Sequence, residues 1–390
     1  MLPLSGVRVV EFAHMVMGPS CGLVLADLGA EVIKIEPVRG DNTRRLEGAG
    51  AGFFPVFNRN KKSLAVDLQQ AAGRDLVRRL LARADVLTEN FRPGALDKLG
   101  FSYERLREAN PRLVYCSLKG FLRGPYDHRP ALDEVTQMMG GLAYMTGLPE
   151  RPLRAGSSVV DIMGGTFAAV AILAALRERE ATGRGKQVTS ALFECTALLV
   201  AQHMAQFELT GEAPPPMSVK RPAWSVYDIF ETAGGGRLFV GVVTDTQWEA
   251  FCRDFGLDEL KADPRLATNS QRVKERAWLL PRLAETFRRF SQDDLTRKLE
   301  AIGLPFAPIN RPWDLLEDPH LNASGGLLPT EVGGRMLRVP ALPIELDGAR
   351  LGKRGDPPGI GQHGRELLAE LGCSVAEIEA LAARGVIALP

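Results

Sequence analysis

Residues 7–36, VRVVEFAHMVMGPSCGLVLADLGAEVIKIE, decide the fold predicted for this chain. The first and last six residues, VRVVEF and EVIKIE, have the apolar, β-branched composition of strands. The segment between them suits a helix that begins near Pro19 and stops at Gly29, so the stretch predicts a β-α-β unit. Strands and helices continue to alternate as far as Leu118. We therefore expect a doubly wound, Rossmann-like α/β domain around a mostly parallel sheet, with ligands bound beyond the carboxyl ends of its strands.

The later part of the chain has a different pattern of predicted elements from the first part, and this difference predicts a second domain. A chain of 390 residues is long for one simple core. Pro214, Pro215 and Pro216 predict a stiff, exposed connector. Two antiparallel strands and several helices follow this connector, as expected for a smaller α+β domain.

Composition excludes several classes of function. The net charge of +1 gives no reason to expect a nucleic-acid or membrane partner. The five cysteines are scattered, as in a reduced cytoplasmic protein without a disulfide framework or a metal site. The N-terminus lacks the pattern of a signal peptide, and no apolar run is expected to be long enough to span a bilayer.

Asp161 is the strongest candidate for a catalytic group. It lies in the stretch AGSSVVDIMGG, which covers residues 155–165 and precedes a good helix-forming segment. A carboxylate at a helix N-terminus is expected to stay ionised, as a carboxylate nucleophile requires. The alternative is that Asp161 only caps the helix, which is a common role of aspartate.

Several loops that follow predicted strands carry groups suited to an anionic ligand. The loop HMVMGPS, residues 14–20, precedes a helix N-terminus that can hold a phosphate, and NFRPG at 90–94 offers an amide, an aromatic ring and a cation. For the loop at 14–20 the alternative is a plain turn, and for the cations around the second and third strands it is a solvated basic surface. No G-x-G-x-x-G fingerprint for a nicotinamide or flavin cofactor is present. Cations are dense around the second and third strands: Lys34, Arg39, Arg44, Arg45, Arg59, Lys61 and Lys62.

Together these segments resemble the class III CoA-transferase family, whose familiar member is formyl-CoA transferase. The resemblance is dense from Leu4 to Leu199 and weaker beyond. Its motifs are LSGVRVVEF, ADLGAEVIKIEP, NRNKKSLAVDL, ADVLTENFRPG, NPRLVYCSLKGF, the Asp161 segment and R-x-x-T-G-R-G-K-Q-V.

The resemblance implies an interlocked homodimer in which both chain ends build the large domain. The domains expected are the first part of the large domain at 1–210, a linker at 211–224, the small domain at 225–320 and a return segment at 321–390.

The resemblance also implies a mechanism. Asp161 would attack an acyl-CoA thioester to form a mixed anhydride and then an aspartyl-CoA thioester, from which a free carboxylic acid, such as a dicarboxylate, takes the CoA. Backbone N–H groups near Gly164 and Gly165 would stabilise the oxyanion. The CoA thioester is a substrate, and no metal or other cofactor is expected.

Further candidates for CoA binding lie in loops that correspond to CoA-contacting segments of the family, although Pro37 stands where formyl-CoA transferase has a phosphate-binding arginine that Arg39 would replace. The residues expected to bind CoA are Met15, Val16, Met17, Arg39, Asn90, Phe91, Arg92 and Lys98. The candidates for the acyl pocket, which were not taken from a matching family position, are Arg44, Phe53, Phe54 and Tyr144.

Two alternatives remain at this point. The α-methylacyl-CoA racemases share the aspartate but use a histidine as second base, and Leu132 stands at that histidine's position. The other alternative is a non-catalytic CoA-binding protein.

Overall fold

The computed structural model describes residues 1–219 and 223–390. It contains two compact units, of which the first joins Met1–Val219 to Pro319–Pro390 and the second is Lys220–Asp318. The sequence placed the linker at 211–224 and the small domain at 225–320. Residues 220–222 of that linker lie outside the described residues.

The N-terminal part alternates strands with helices. Its strands are β1 (Arg8–Phe12), β2 (Glu31–Glu36), β3 (Lys61–Val66), β4 (Val86–Glu89), β5 (Val114–Lys119) and β6 (Gln187–Ala191). Its helices are α1 (Met17–Asp27), α2 (Phe53–Phe57), α3 (Ala71–Leu81), α4 (Ala95–Lys98), α5 (Tyr103–Ala109), α6 (Asp133–Met139), α7 (Leu142–Thr146), α8 (Val159–Thr182), α9 (Leu192–Leu199) and α10 (Ala201–Thr210).

The second unit is a three-stranded antiparallel sheet with helices. Its strands are β7 (Val226–Glu231), β8 (Arg237–Val242) and β9 (Phe306–Pro308). Its helices are α11 (Asp245–Asp254), α12 (Asp258–Ala262), α13 (Asn269–Lys274), α14 (Arg276–Phe287) and α15 (Gln292–Ala301). Their apolar side chains form a core of their own, as an independent α+β unit requires.

The C-terminal segment returns to the first unit. Its strands are β10 (Leu327–Val332), β11 (Arg335–Pro340), β12 (Glu345–Leu346), β13 (Ala349–Arg350) and β14 (Ile387–Ala388). Its helices are α16 (Pro319–Ala323), α17 (Gly364–Glu370) and α18 (Val375–Ala383).

The main sheet has the strand order β14-β3-β2-β1-β4-β5-β6. Strands β1 to β6 are parallel, and β14 pairs antiparallel with β3 at the edge. The chain leaves β1 toward β2 and later returns to its other side with β4. Ligands of open α/β sheets bind in the crevice beyond such a reversal, so the loops after β1 and β4 are where a site is expected.

Helices cover both faces of this sheet. On one face, α1 and α8 pack on residues such as Val9 and Cys116. On the other, α3, α5, α17 and α18 pack on residues such as Leu64. The doubly wound arrangement predicted from the alternating pattern is therefore present.

Helix α8 is the longest helix described and passes a length and composition test for crossing a membrane. No uninterrupted apolar run long enough to span a bilayer was expected, and α8 contains none, because Asp161 and the charged residues after Leu176 interrupt it. The helix packs against α1, β5 and β6 instead. A buried core helix is apolar for the same reason as a membrane span, and the packing explains its composition.

Candidate active site

The loops after β1 and β4 are joined by one asparagine. The Asn90 side chain donates to the His14 carbonyl at 2.8 Å and accepts from the His14 N–H at 3.1 Å. The rings of His14 and Phe91 lie 5.6 Å apart. Gly18 makes this approach possible, because a Cβ there would lie 2.4 Å from the Ala13 Cβ and 3.1 Å from Asn90 Cγ. The loops that were expected to bind CoA thus meet at the reversal of the sheet.

The loop after β2 also contacts the loop that follows β1. The Thr43 hydroxyl accepts a hydrogen bond from the Met15 N–H at 3.1 Å, and Asp41 in turn accepts from Thr43. Met15 has a φ of 63°, a left-handed conformation that a non-glycine residue adopts only when its surroundings impose it. Met15 is exposed, whereas Val16 and Met17 are buried. Of these three CoA-binding candidates, only Met15 presents its side chain to solvent.

Gly164 and Gly165 bring α8 against α1. A Cβ on Gly165 would lie 2.5 Å from the Met17 carbonyl oxygen, and one on Gly164 would lie 2.5 Å from Met17 Cε. Both residues lie inside α8, beyond its first turn, where the N–H groups bond to carbonyls of the preceding turn. The geometry therefore gives these glycines a packing role, which differs from the oxyanion role expected from the sequence.

Asp161 is the third residue of α8 and is half-buried. It does not cap the helix, because neither it nor Ser158, the residue at the N-cap, makes a side-chain capping bond. The cap comes instead from Asp133, whose carboxylate accepts the N–H groups of Val160 and Asp161 at 2.9 and 3.2 Å. The alternative that Asp161 only caps the helix is therefore wrong. The Asp161 carboxylate makes no capping bond and is available for another role.

The protonation state of Asp161 differs from the expectation of a permanently ionised group. Burial raises its pKa, the nearby Asp133 carboxylate raises it further, and Arg154 partly offsets both, which brings the pKa to about 7. Asp161 therefore titrates near neutral pH, and its nucleophilic form becomes more abundant as the pH rises through this range.

Most of the cations near β2 and β3 are not free for a polyanion. Lys34 pairs with Asp41 at 2.8 Å, Lys61 with Glu11 at 2.9 Å and Arg59 with Asp27 at 2.6 Å, and all six side chains are buried. Lys62 is more open and binds Glu31 and Glu366. A site for a polyanion and a solvated basic surface were the two interpretations of this basic cluster, and the ion pairs of these four residues argue against the first. Arg39 and Arg45 remain exposed.

The other CoA-binding candidates differ in their exposure to solvent and in their contacts. Arg39, Arg92 and Lys98 have exposed side chains, and Lys98 ends helix α4. Phe91 is half-buried, and its carbonyl accepts a hydrogen bond from Lys119 at 2.9 Å. Asn90 and Phe91 are therefore fixed by contacts at the turn, whereas the three cations lie on the surface.

The acyl-pocket candidates do not form one cluster of contacts. The Arg44 guanidinium binds the Glu36 carboxylate at 2.6 and 2.9 Å and lies 3.8 Å from the Phe54 ring centroid. Arg44 is thus engaged, and Phe54 is buried beneath it. Phe53 is half-buried, and Tyr144 is an exposed residue of α7. The contacts of Arg44 argue against its use as a substrate-binding cation.

Asp133, Gln137 and Arg154 are site residues that sequence reasoning missed. Gln137 donates to Asp133 at 2.6 Å, and Arg154 lies 3.3 Å from the same carboxylate. Their place beside Asp161 depends on how α6 and the loop before α8 pack, which periodicity does not reveal. The one signal for this group in the sequence was that Asp133 directly follows Leu132, the residue at the position of the racemase histidine.

Comparison with known proteins identifies the family to which this chain belongs. The model of CoA-transferase family III matches residues 4–364, which is most of the chain. The chain belongs to CoA-transferase family III. Members of this family are CoA-transferases, enzymes that use CoA thioesters as substrates, and the resemblance inferred from the motifs is confirmed.

Individual members of CoA-transferase family III match over nearly their whole length. A succinate–glutarate CoA-transferase of Agrobacterium fabrum is 34% identical, with 95% of this chain and 96% of that protein covered. A succinyl-CoA–D-citramalate CoA-transferase of Chloroflexus aurantiacus is also 34% identical, with 99% and 98% covered. The crystal structure of a CaiB/BaiF family protein from Brucella suis has a TM-score of 0.84 at 37% identity, with 95% and 99% covered.

Proposed function

We propose that this protein transfers CoA from an acyl-CoA to a dicarboxylic acid through covalent intermediates on Asp161. The observation that carries the proposal is the position of Asp161, in the first turn of α8, whose glycines pack against the helix that follows the β1 loop. A carboxylate with a pKa of about 7 and no capping role is suited to act as a nucleophile.

The proposed reaction proceeds by four successive substitutions at carbonyl carbon, two in each half of the cycle. The Asp161 carboxylate attacks the thioester carbon, which expels CoA thiolate and leaves a mixed anhydride. The thiolate then attacks the Asp161 carbonyl and releases the donor acid, which leaves an aspartyl-CoA thioester. The acceptor carboxylate attacks that thioester, expels the thiolate again, and the thiolate attacks the acceptor's carbonyl, which regenerates Asp161. Each bond broken is matched by one formed, so the cycle needs no oxidant or reductant.

The substrate class is proposed from the relatives. Their names specify succinate, glutarate and citramalate, each of which carries at least two carboxylates. A panel of acyl-CoA donors and carboxylate acceptors, read by mass spectrometry, tests the proposal. Formation of a new acyl-CoA from a dicarboxylate is expected. CoA binding without any transfer would contradict it, and rapid exchange of an α-proton in 2-methylacyl-CoA would point to the racemase alternative.

We also propose a homodimer, interlocked as the resemblance implies, in the cytoplasm. Large apolar side chains are exposed along helices α8 to α10, among them Phe167, Val170, Leu198, Met204 and Phe207. An apolar face of this kind is typical of a surface covered by a partner, and we propose that a second copy of the chain covers it. Sedimentation at equilibrium distinguishes a dimer from a monomer.

Asn90→Ala is expected to weaken CoA binding by about tenfold, because it removes both hydrogen bonds that hold the β1 loop against the β4 loop. Isothermal titration with CoA measures the effect. Asn269→Ala is a matched control, since Asn269 bridges Ser225 and Ala223 in the second unit. An Asn90→Ala protein with unchanged CoA affinity would contradict the placement of CoA at this turn.

A further inference from the structure

We propose that Asp133 and Arg154 are positioning residues that control the orientation and the charge of the Asp161 carboxylate. This inference rests on the proposed function, because it gives the role of two neighbours of the proposed nucleophile. It concerns residues that the motifs did not single out as part of the site.

Asp133 fixes the start of the helix that carries Asp161. The first N–H groups of a helix have no partner within the helix. At α8, one buried oxygen, Oδ2 of Asp133, accepts two of them, from Val160 and from Asp161 itself. The backbone of Asp161 is therefore tied directly to Asp133, and a shift of this carboxylate would move the proposed nucleophile.

The second oxygen of Asp133 ties the preceding loop to the same point. Oδ1 accepts from Gln137 Nε2 at 2.6 Å and lies 3.3 Å from Arg154 Nη2. The Gln137 side-chain oxygen accepts from the Ala155 N–H at 2.8 Å. Helix α6, the loop at 154–155 and the first turn of α8 thus share one hydrogen-bonded network, which restrains the backbone on both sides of the helix start.

The two charges act on Asp161 in opposite directions. The Asp133 carboxylate disfavours a second negative charge nearby, and the Arg154 guanidinium favours it. Arg154 is only partly buried and lies 3.8 Å from the exposed Glu134, so part of its charge is compensated. Where α1 packs on α8 it contributes the uncharged Met17 and Ser20, which lie against Gly164 and Gly165, and Glu194 of α9 accepts a hydrogen bond from the Leu122 N–H. Asp133 and Arg154 are therefore the charges expected to matter most.

Carboxyl carbon NMR of protein labelled in its aspartate residues tests the proposal without any acyl-CoA. The Asp161 resonance is identified by its absence in Asp161→Asn. The wild-type midpoint is expected near the pKa of about 7. Asp133→Asn keeps an oxygen that can accept the two N–H groups and loses the charge, so its midpoint should fall by about one pH unit. Arg154→Gln should move the midpoint upward.

Glu180→Gln is the matched control, because it removes one negative charge from the far end of the same helix and should leave the midpoint unchanged. Unchanged midpoints in both Asp133→Asn and Arg154→Gln, or shifts in the same direction, would overturn the proposal. Circular dichroism checks folding. If Asp133→Asn does not fold, Arg154→Gln decides alone: a higher midpoint supports the proposal and an unchanged one overturns it. Because no substrate is used, a failure here is distinct from an absence of transferase activity.

Discussion

Asp161→Asn is expected to lower CoA transfer by at least about a thousandfold, because loss of a covalent nucleophile removes the pathway itself. CoA affinity should change little, since the turn formed by His14 and Asn90 is untouched. Initial rates of acyl exchange and CoA titration measure the two effects. Glu180→Gln, at the other end of α8, should keep the wild-type rate. Transfer at a near-normal rate in Asp161→Asn would exclude the proposed chemistry.

The same variant should also change how stability depends on pH. The pKa of Asp161 in the folded protein, about 7, lies above its ordinary value of 3.8, so the folded state binds a proton more tightly than the unfolded state. The resulting stabilisation is present at low pH and is lost as the pH rises through about 7. The Tm of the wild type should therefore fall more than that of Asp161→Asn between about pH 5 and pH 8. Parallel Tm curves for the two proteins would contradict the raised pKa.

Arg59→Met is expected to destabilise the first unit by about 3–5 kcal/mol. Arg59 is almost fully buried and binds Asp27 through two of its nitrogens, and it also donates to the Pro340 carbonyl. Methionine fills similar space but leaves the Asp27 carboxylate buried without its cation, which is the costly part of the change. Urea unfolding followed by circular dichroism measures the loss.

Arg45→Met provides the comparison for this experiment, because Arg45 belongs to the same basic cluster but is exposed. Its unfolding free energy should stay within about 0.5 kcal/mol of the wild type. Equal effects of the two substitutions would contradict the assignment of Arg59 as a buried structural cation. Arg59 would then again be a candidate for binding a phosphate.

Much of the fold was predictable because it depends on local pattern. The alternation of apolar strands and helices gave β2 with its exact bounds, Glu31–Glu36, and the order of the strands through β5, whereas the short helices α2 and α4 were not predicted. The short edge strand β14 was not predicted, because its two residues, Ile387 and Ala388, form a strand only by pairing with β3.

The site was less predictable, because it depends on burial and on contacts between distant segments. Lys34, Arg59 and Lys61 are indistinguishable in sequence from exposed cations until their acidic partners are located. The pKa of Asp161 is raised first by burial and then by Asp133, which lies on another helix, whereas the helix dipole alone predicts the opposite direction. Motif resemblance located Asp161 itself, but its surroundings required the three-dimensional arrangement.

The covalent role of Asp161 is tested most directly by an acceptor acid labelled with oxygen-18 in its carboxylate. In the proposed cycle, one labelled oxygen of the acceptor bridges to the Asp161 carbonyl in the second anhydride and remains on Asp161 when the thiolate takes the acyl group. Mass spectrometry of the peptide that contains Asp161, after turnover with the most active donor and acceptor, should therefore show oxygen-18 on that residue. Transfer without label on Asp161, or with label on another carboxylate, would contradict the account.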